Sequence, residues 1–149
     1  GIFPDLSVEE NFQITAWLTA SRSTARRDFD DRVFTVFPEV KGFMTRRGLH
    51  LSGGQKKMVA ITRAMSLGPS VLLLDEPFEG LAPVVVTRFI EAVRTIKSMG
   101  ISVLIAESNL INATRVADRL YAIDRGEIIF QGNSRDVFAN EDVMRTIRG

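Results

Sequence analysis

Apolar positions return along this chain with two periods, and the periods outline its elements. Val8, Phe12, Thr15 or Ala16, and Leu18 or Thr19 recur about every 3.6 residues, the spacing of one helix face. Ser7 and Glu10 stand before and within its first turn at capping-box spacing, where hydroxyl and carboxylate each reach the other's backbone amide. Ser21 to Arg27 is polar and predicts a loop, after which Phe29, Val33, Val36 and Phe37 predict a second helix stopped by Pro38. Glu39 to Gly48 is a charged, glycine-containing connection. From Gln55 to Leu67, Met58, Ile61 or Thr62, and Met65 form a helical stripe, ended by Gly68-Pro69. Val71 to Leu74 is an unbroken apolar run, the pattern of a strand covered on both faces. Pro83 opens a further helix with an inward stripe of Val86, Phe89 or Ile90, Val93 and Ile96, and Gly100 closes it. Ile101 to Ala106 predicts a second buried strand, so strand, helix and strand are expected to form a right-handed parallel crossover. Then come a short helix through Ala113, Val116 and Ala117, a strand Arg119 to Asp124, a tight turn at Arg125-Gly126 and a strand Glu127 to Gln131. A short helix capped by Ser134 and a closing helix from Glu141 to Ile147 complete the pattern. Neither an internal repeat nor a low-complexity segment is present.

Composition narrows the picture rather than setting it. A chain of 149 residues, 45% hydrophobic and 25% charged, suits one domain with a real core. Its net charge of +1 does not favour a polyanionic partner, so no nucleic acid is expected. Arg22, Arg26, Arg27, Arg46 and Arg47 read as a solvated surface. The absence of cysteine excludes a disulfide framework and a thiolate metal site, and it fits a reducing compartment. No apolar run is long enough to span a bilayer. Gly1-Ile2-Phe3-Pro4 opens on apolar residues without an initiator methionine, which suggests a cut through a larger domain.

Two stretches carry chemistry. Leu51-Ser52-Gly53-Gly54-Gln55 opens the helix that carries Met58. Ser52 and Gln55 make a capping box by themselves, but a cap does not require two glycines, which weaken a helix start. Residues without Cβ let something approach the backbone, and a helix N-terminus favours an anion such as phosphate. After one helix comes Val71-Leu72-Leu73-Leu74-Asp75-Glu76-Pro77, an apolar strand delivering two carboxylates at its carboxyl end. Ligands of open parallel sheets bind at that end. Adjacent strand residues face opposite ways, so the pair is expected to divide its work. One carboxylate suits Mg²⁺ held through water, and the other suits activation of an attacking water. The plainer alternative is a solvated acidic turn. His50, the only histidine, reads as a surface or packing residue.

The first stretch is identical to the signature motif of ATP-binding-cassette (ABC) ATPases, and the second resembles their Walker B strand. Ile2 to Asn11 resembles the segment after the Q-loop, and Glu79-Gly80-Leu81-Ala82-Pro83 resembles the D-loop of branched-chain amino acid importers. Glu107-Ser108-Asn109 stands where that subfamily has its switch region. The resemblance implies an α/β fold: a partial P-loop NTPase core with parallel strands (51–149) and a helical subdomain (1–50). It implies that Leu51, Ser52, Gly53, Gly54 and Gln55 bind ATP held mainly by an opposite protomer. Asp75 would serve Mg²⁺, Glu76 would polarise the hydrolytic water, and Ser108 would sense the γ-phosphate less well than a histidine. Ala82 occupies a D-loop position where many cassettes carry Asp. No Gly-x-x-x-x-Gly-Lys-[Ser/Thr] occurs, so the phosphate cradle is missing and the chain reads as the C-terminal portion of a cassette. The isolated chain is accordingly expected to bind Mg-ATP weakly, not to turn it over, and either to self-associate through an uncovered strand edge or to rearrange its N-terminal helices over that edge.

The implied function is the ATPase subunit of a bacterial solute importer, for branched-chain amino acids or a related solute. It would sit on the cytoplasmic face of the membrane with permease subunits and a second ATPase. A non-catalytic remnant acting as an interaction module is the alternative from another class. A soluble ABC ATPase of DNA maintenance is disfavoured, because that group carries a long coiled coil where this chain has a short helical unit.

Overall fold

The computed structural model describes residues 1–19 and 32–148, so Phe29, Arg22, Arg26, Arg27 and the predicted loop from Ser21 to Arg27 lie outside the described residues. The chain divides into two compact units, Gly1–Ile105 and Ala106–Gly149.

In the first unit, helix α1 (Val8–Thr19) begins with the predicted capping box: the Ser7 amide donates to Glu10 at 2.7 Å, and the Glu10 amide donates to the Ser7 hydroxyl at 3.1 Å. The Ser7 amide, and after it the Ser7 hydroxyl, hold the Glu10 carboxyl below its usual range. Val8 and Thr15 are buried as expected, but the face also buries Asn11, which a purely apolar stripe does not predict. The Asn11 side chain accepts from the Phe3 amide at 2.8 Å and donates to the carbonyls of Phe3 and Ser7 at 3.0 and 2.9 Å. It is buried because it satisfies the backbone of the entering segment. That segment runs directly over Gly48, where a Cβ would stand 2.9 Å from the Phe3 carbonyl oxygen.

Pro38 does not simply stop a helix. It occupies the first turn of a 3₁₀ helix, Pro38–Phe43, and a second, Gly48–His50, follows, so the expected connection is locally helical. Proline suits that place because its missing N–H would have no partner in the first turn. Val33, Val36, Phe37 and Val40 are buried here. Both α1 and the first 3₁₀ helix pack on α2 (Gly53–Met65), whose Met58, Ile61, Thr62 and Met65 face inward with Val59. Helix α3 (Pro83–Ser98) buries the predicted Val86, Phe89, Ile90, Val93 and Ile96. The Phe89 ring meets that of Phe37 with centroids 5.0 Å apart and planes at 53°.

Arg88 fastens the outer side of this contact. Its guanidinium donates to both Glu39 carboxylate oxygens at 2.7 and 3.2 Å and to the Val36 carbonyl, and lies 5.0 Å from the Phe37 ring centre. The Arg88 bond holds the Glu39 carboxyl below its usual range. A lowered folded value means that this contribution is complete above the ordinary glutamate value and lost as pH falls through the lowered one. Arg88→Met is therefore expected to cost about 1–2 kcal/mol near neutrality in urea titrations. The deficit should shrink below the ordinary glutamate range; a deficit independent of pH would show that the ion pair contributes nothing.

Strands β1 (Val71–Asp75) and β2 (Ser102–Ala106), joined through α3, pair as a parallel two-stranded sheet. Among the described residues only one face is covered. Leu72 is buried, whereas Val71, Leu73 and Leu104 are 54%, 70% and 64% exposed. The expectation of strands buried on both faces is thus corrected: an unbroken apolar run specifies two faces that avoid water, and the described residues supply a cover for one. This bare face and the two outer strand edges are the surface on which the expected self-association would act.

The second unit contains α4 (Leu110–Val116), the hairpin β3 (Arg119–Asp124) and β4 (Glu127–Asn133), and α5 (Glu141–Arg148). Arg125 and Gly126 both take positive φ, 48° and 86°, as a two-residue hairpin turn matched to strand twist requires. Leu120, Val137 and Val143 form its core, with Phe130 and Ile129 against them. Ser134 caps no helix: its hydroxyl donates to the Ala117 carbonyl at 2.6 Å, and Asp136 precedes the 3₁₀ turn Val137–Ala139. The hydroxyl is drawn inward because Ser134 is itself buried. Among the described residues, no helix is long and apolar enough to cross a membrane.

Candidate functional site

The glycine turn is open. Ser52 is the N-cap of α2, with both arms of the capping box formed: the Gln55 amide donates to the hydroxyl at 3.3 Å, and the Ser52 amide donates to the Gln55 side chain at 3.0 Å. This leaves the first-turn amides of Gly53 and Gly54 without helical partners. Ser52 and Gly53 are exposed, and no acidic residue sits in the first turn. A Cβ at Gly53 would meet nothing within 4 Å, and one at Gly54 would only touch Val85 and Leu81 at 3.4 and 3.5 Å. The chain's own packing therefore does not demand either glycine. Space for an anion above the helix mouth accounts for them better. Leu51 is different: its side chain is buried and its amide donates to the Gly48 carbonyl, so it anchors the turn from below.

Asp75 ends β1 and is exposed; Glu76 is half-buried. The strand stops between them, because Glu76 takes φ of 42°, a left-handed conformation uncommon for a residue with a side chain. The turn, rather than alternation along a strand, thus separates the two carboxylates. Pro77 and Phe78 are buried beneath it. Lys57, from α2, reaches the turn and donates to the carbonyls of Glu76, Pro77 and Glu79 at 2.7, 3.3 and 2.8 Å. The helix that opens at the glycines and the turn that carries Glu76 are therefore held together. Sequence reasoning passed over Lys57, although a signal existed: Gly54, Lys57 and Ile61 share one helix face, and Ile61 is buried.

Ser108 belongs to the second unit, where it is exposed. Glu107 accepts from the Asn109 amide at 2.9 Å, and the Asn109 side chain caps α4 by accepting from the Asn112 amide at 3.0 Å. His50 is exposed, and its carbonyl accepts from Arg46 at 2.6 Å. Among the described residues, no group of three or more His, Cys, Asp or Glu side chains gathers to hold a metal ion. A strand-end carboxylate such as Asp75 has the hard oxygen donors that suit Mg²⁺ held through its waters.

The family model described as ABC transporter matches residues 1–79, glycine turn and carboxylate turn included. The chain belongs to the ABC transporter family. It is 32% identical over 99% of its length to the high-affinity branched-chain amino acid transport ATP-binding protein BraG of Pseudomonas aeruginosa, covering 63% of that protein. It is 30% identical to the lipopolysaccharide export system ATP-binding protein LptB of Escherichia coli, covering 99% of this chain and 61% of LptB. Among solved structures, the ADP conformation of an ATP-binding cassette of an ABC transporter superposes with a TM-score of 0.78 at 26% identity, over 98% of this chain and 64% of that one. This ABC chain thus spans less than two thirds of the length of these relatives, and its fold is that of an ATP-binding cassette over the shared part.

Proposed function

We propose that this ABC chain is the signature and carboxylate portion of a transport ATPase. In this reading Ser52, Gly53 and Gly54 receive the terminal phosphate of ATP bound chiefly to a second cassette. Asp75 holds Mg²⁺ through water, Glu76 polarises the attacking water, and Ser108 contacts the γ-phosphate. Mg²⁺ supplies charge neutralisation of the phosphates when bound. The observation that carries the reading is the open mouth of α2, whose glycines the chain's own packing leaves unexplained.

The cargo we assign is a branched-chain amino acid or related small solute, taken up through permease subunits on the cytoplasmic face of the membrane. The likeness to BraG supports this cargo, as does a 28% identical Archaeoglobus fulgidus relative described as a probable branched-chain amino acid transport ATP-binding protein, LivF. The LptB likeness makes lipopolysaccharide export the reading to be tested against.

Gly53→Asp separates a structural role for this turn from a phosphate-binding one. An aspartate fits the open space and suits a helix N-terminus, so thermal stability should hold or rise slightly. The same carboxylate repels a phosphate, so ATP turnover by the full gene product with its permease should fall about 10²-fold or more. Leucine uptake into proteoliposomes should fall with it. Lost stability with retained turnover would overturn the phosphate role, and ATPase stimulated by lipopolysaccharide but not by amino acids would overturn the cargo.

A further inference from the structure

We propose that Lys57 is a positioning residue for the reaction, setting where the Glu76 carboxylate stands. The proposal rests on the ATPase reading above. An ammonium group has three N–H donors, and here each is matched by a main-chain carbonyl, those of Glu76, Pro77 and Glu79. Three carbonyl oxygens turned toward one point repel each other unless a cation lies among them. The chain reaches this arrangement through the left-handed Glu76, a conformation that is costly for a residue with a side chain. Lys57 thus does for this turn what a bound cation would do. Because Lys57 lies one helical turn past Gly54, the same group ties the carboxylate to the helix whose mouth receives phosphate. A phosphate seated at Gly53 and the Glu76 carboxylate of the same chain are therefore carried by one mechanical piece. In the trans arrangement they belong to different ATP molecules, so Lys57 links the two reaction centres.

The test uses Lys57→Met, which keeps the length and loses the donors, with Lys57→Arg as the conservative variant. Without nucleotide, a glutamate-specific protease should cut the exposed Glu79–Gly80 bond about tenfold faster in Lys57→Met, while Lys57→Arg stays near wild type. In the full gene product, kcat for ATP should fall about tenfold in Lys57→Met with KM little changed, and Lys57→Arg should recover most of it. Should Lys57→Met fail to fold, Lys57→Gln, with two donors and no charge, replaces it and should fall between the other two. Unchanged cleavage and unchanged kcat in a folded Lys57→Met would overturn the proposal. So would faster cleavage at every site in step with a lower melting temperature, with kcat per folded molecule intact. A wild-type product without ATP turnover would sink the ATPase reading instead, and the nucleotide-free proteolysis tells the two failures apart.

Discussion

Glu76→Gln in the full gene product is expected to lower ATP turnover by 10²–10⁴-fold, about the range that a positioned general base contributes. Glutamine keeps the side-chain length and one acceptor oxygen but loses the charge to which the proposed function assigns the orienting and polarising of water. Its fold should survive, because what holds the turn acts on main-chain carbonyls that glutamine leaves in place. The left-handed φ of 42° costs a glutamine about what it costs a glutamate. Nucleotide binding should therefore persist while hydrolysis is lost, and ATP should accumulate bound. Rapid-quench measurement of a single turnover checks this. Hydrolysis within threefold of wild type would remove Glu76 from the chemistry and return the acidic turn to its plainer reading. Asp75, exposed at the strand end, would then need a new assignment as well.

The second large effect is on stability. Phe89→Ala is expected to cost about 3–5 kcal/mol, the range for truncating a buried phenylalanine. Phe89 is 1% exposed and its ring lies against Phe37, itself fully buried. Helix α3, the 3₁₀ helix beginning at Pro38 and the Arg88–Glu39 ion pair all meet around these rings, so little can collapse into the gap. A loss of this size is a large part of the stability of a small domain. Val84→Ala, on the same helix but 77% exposed, should change stability by no more than about 0.5 kcal/mol. Urea titration of both variants measures the contrast, and equal losses would mean that α3 is not packed as described.

Much of the fold is legible in particular residues. The stripe on α3 could be read because its period is regular and Val86, Phe89, Ile90, Val93 and Ile96 are all buried. Both capping boxes could be read because a cap is a local bond, closed within one turn. The hairpin at Arg125-Gly126 could be read for the same reason. Local rules gave the wrong answer where a distant segment set the demand. Asn11 is buried because the segment at Phe3 needs its hydrogen bonds. Ser134 serves the Ala117 carbonyl across the second unit rather than a helix beside it. Val71 and Leu73 are exposed although their run reads as fully buried, since hydrophobicity records what a face requires and not whether it has been covered.

The candidate site divides in the same way. By itself the sequence determined the chemistry on offer: two glycines at a helix mouth, two carboxylates after an apolar strand, and no lysine-bearing phosphate loop. These depend on residue type and close spacing, which a linear chain displays directly. Only the tertiary structure decided that Gly53 faces open space, that Glu76 leaves its strand through a left-handed turn, and that Lys57 clamps that turn to α2. Each of those depends on groups far apart in the chain meeting at hydrogen-bond distance, and a side chain's partners are settled by packing rather than by its neighbours in sequence.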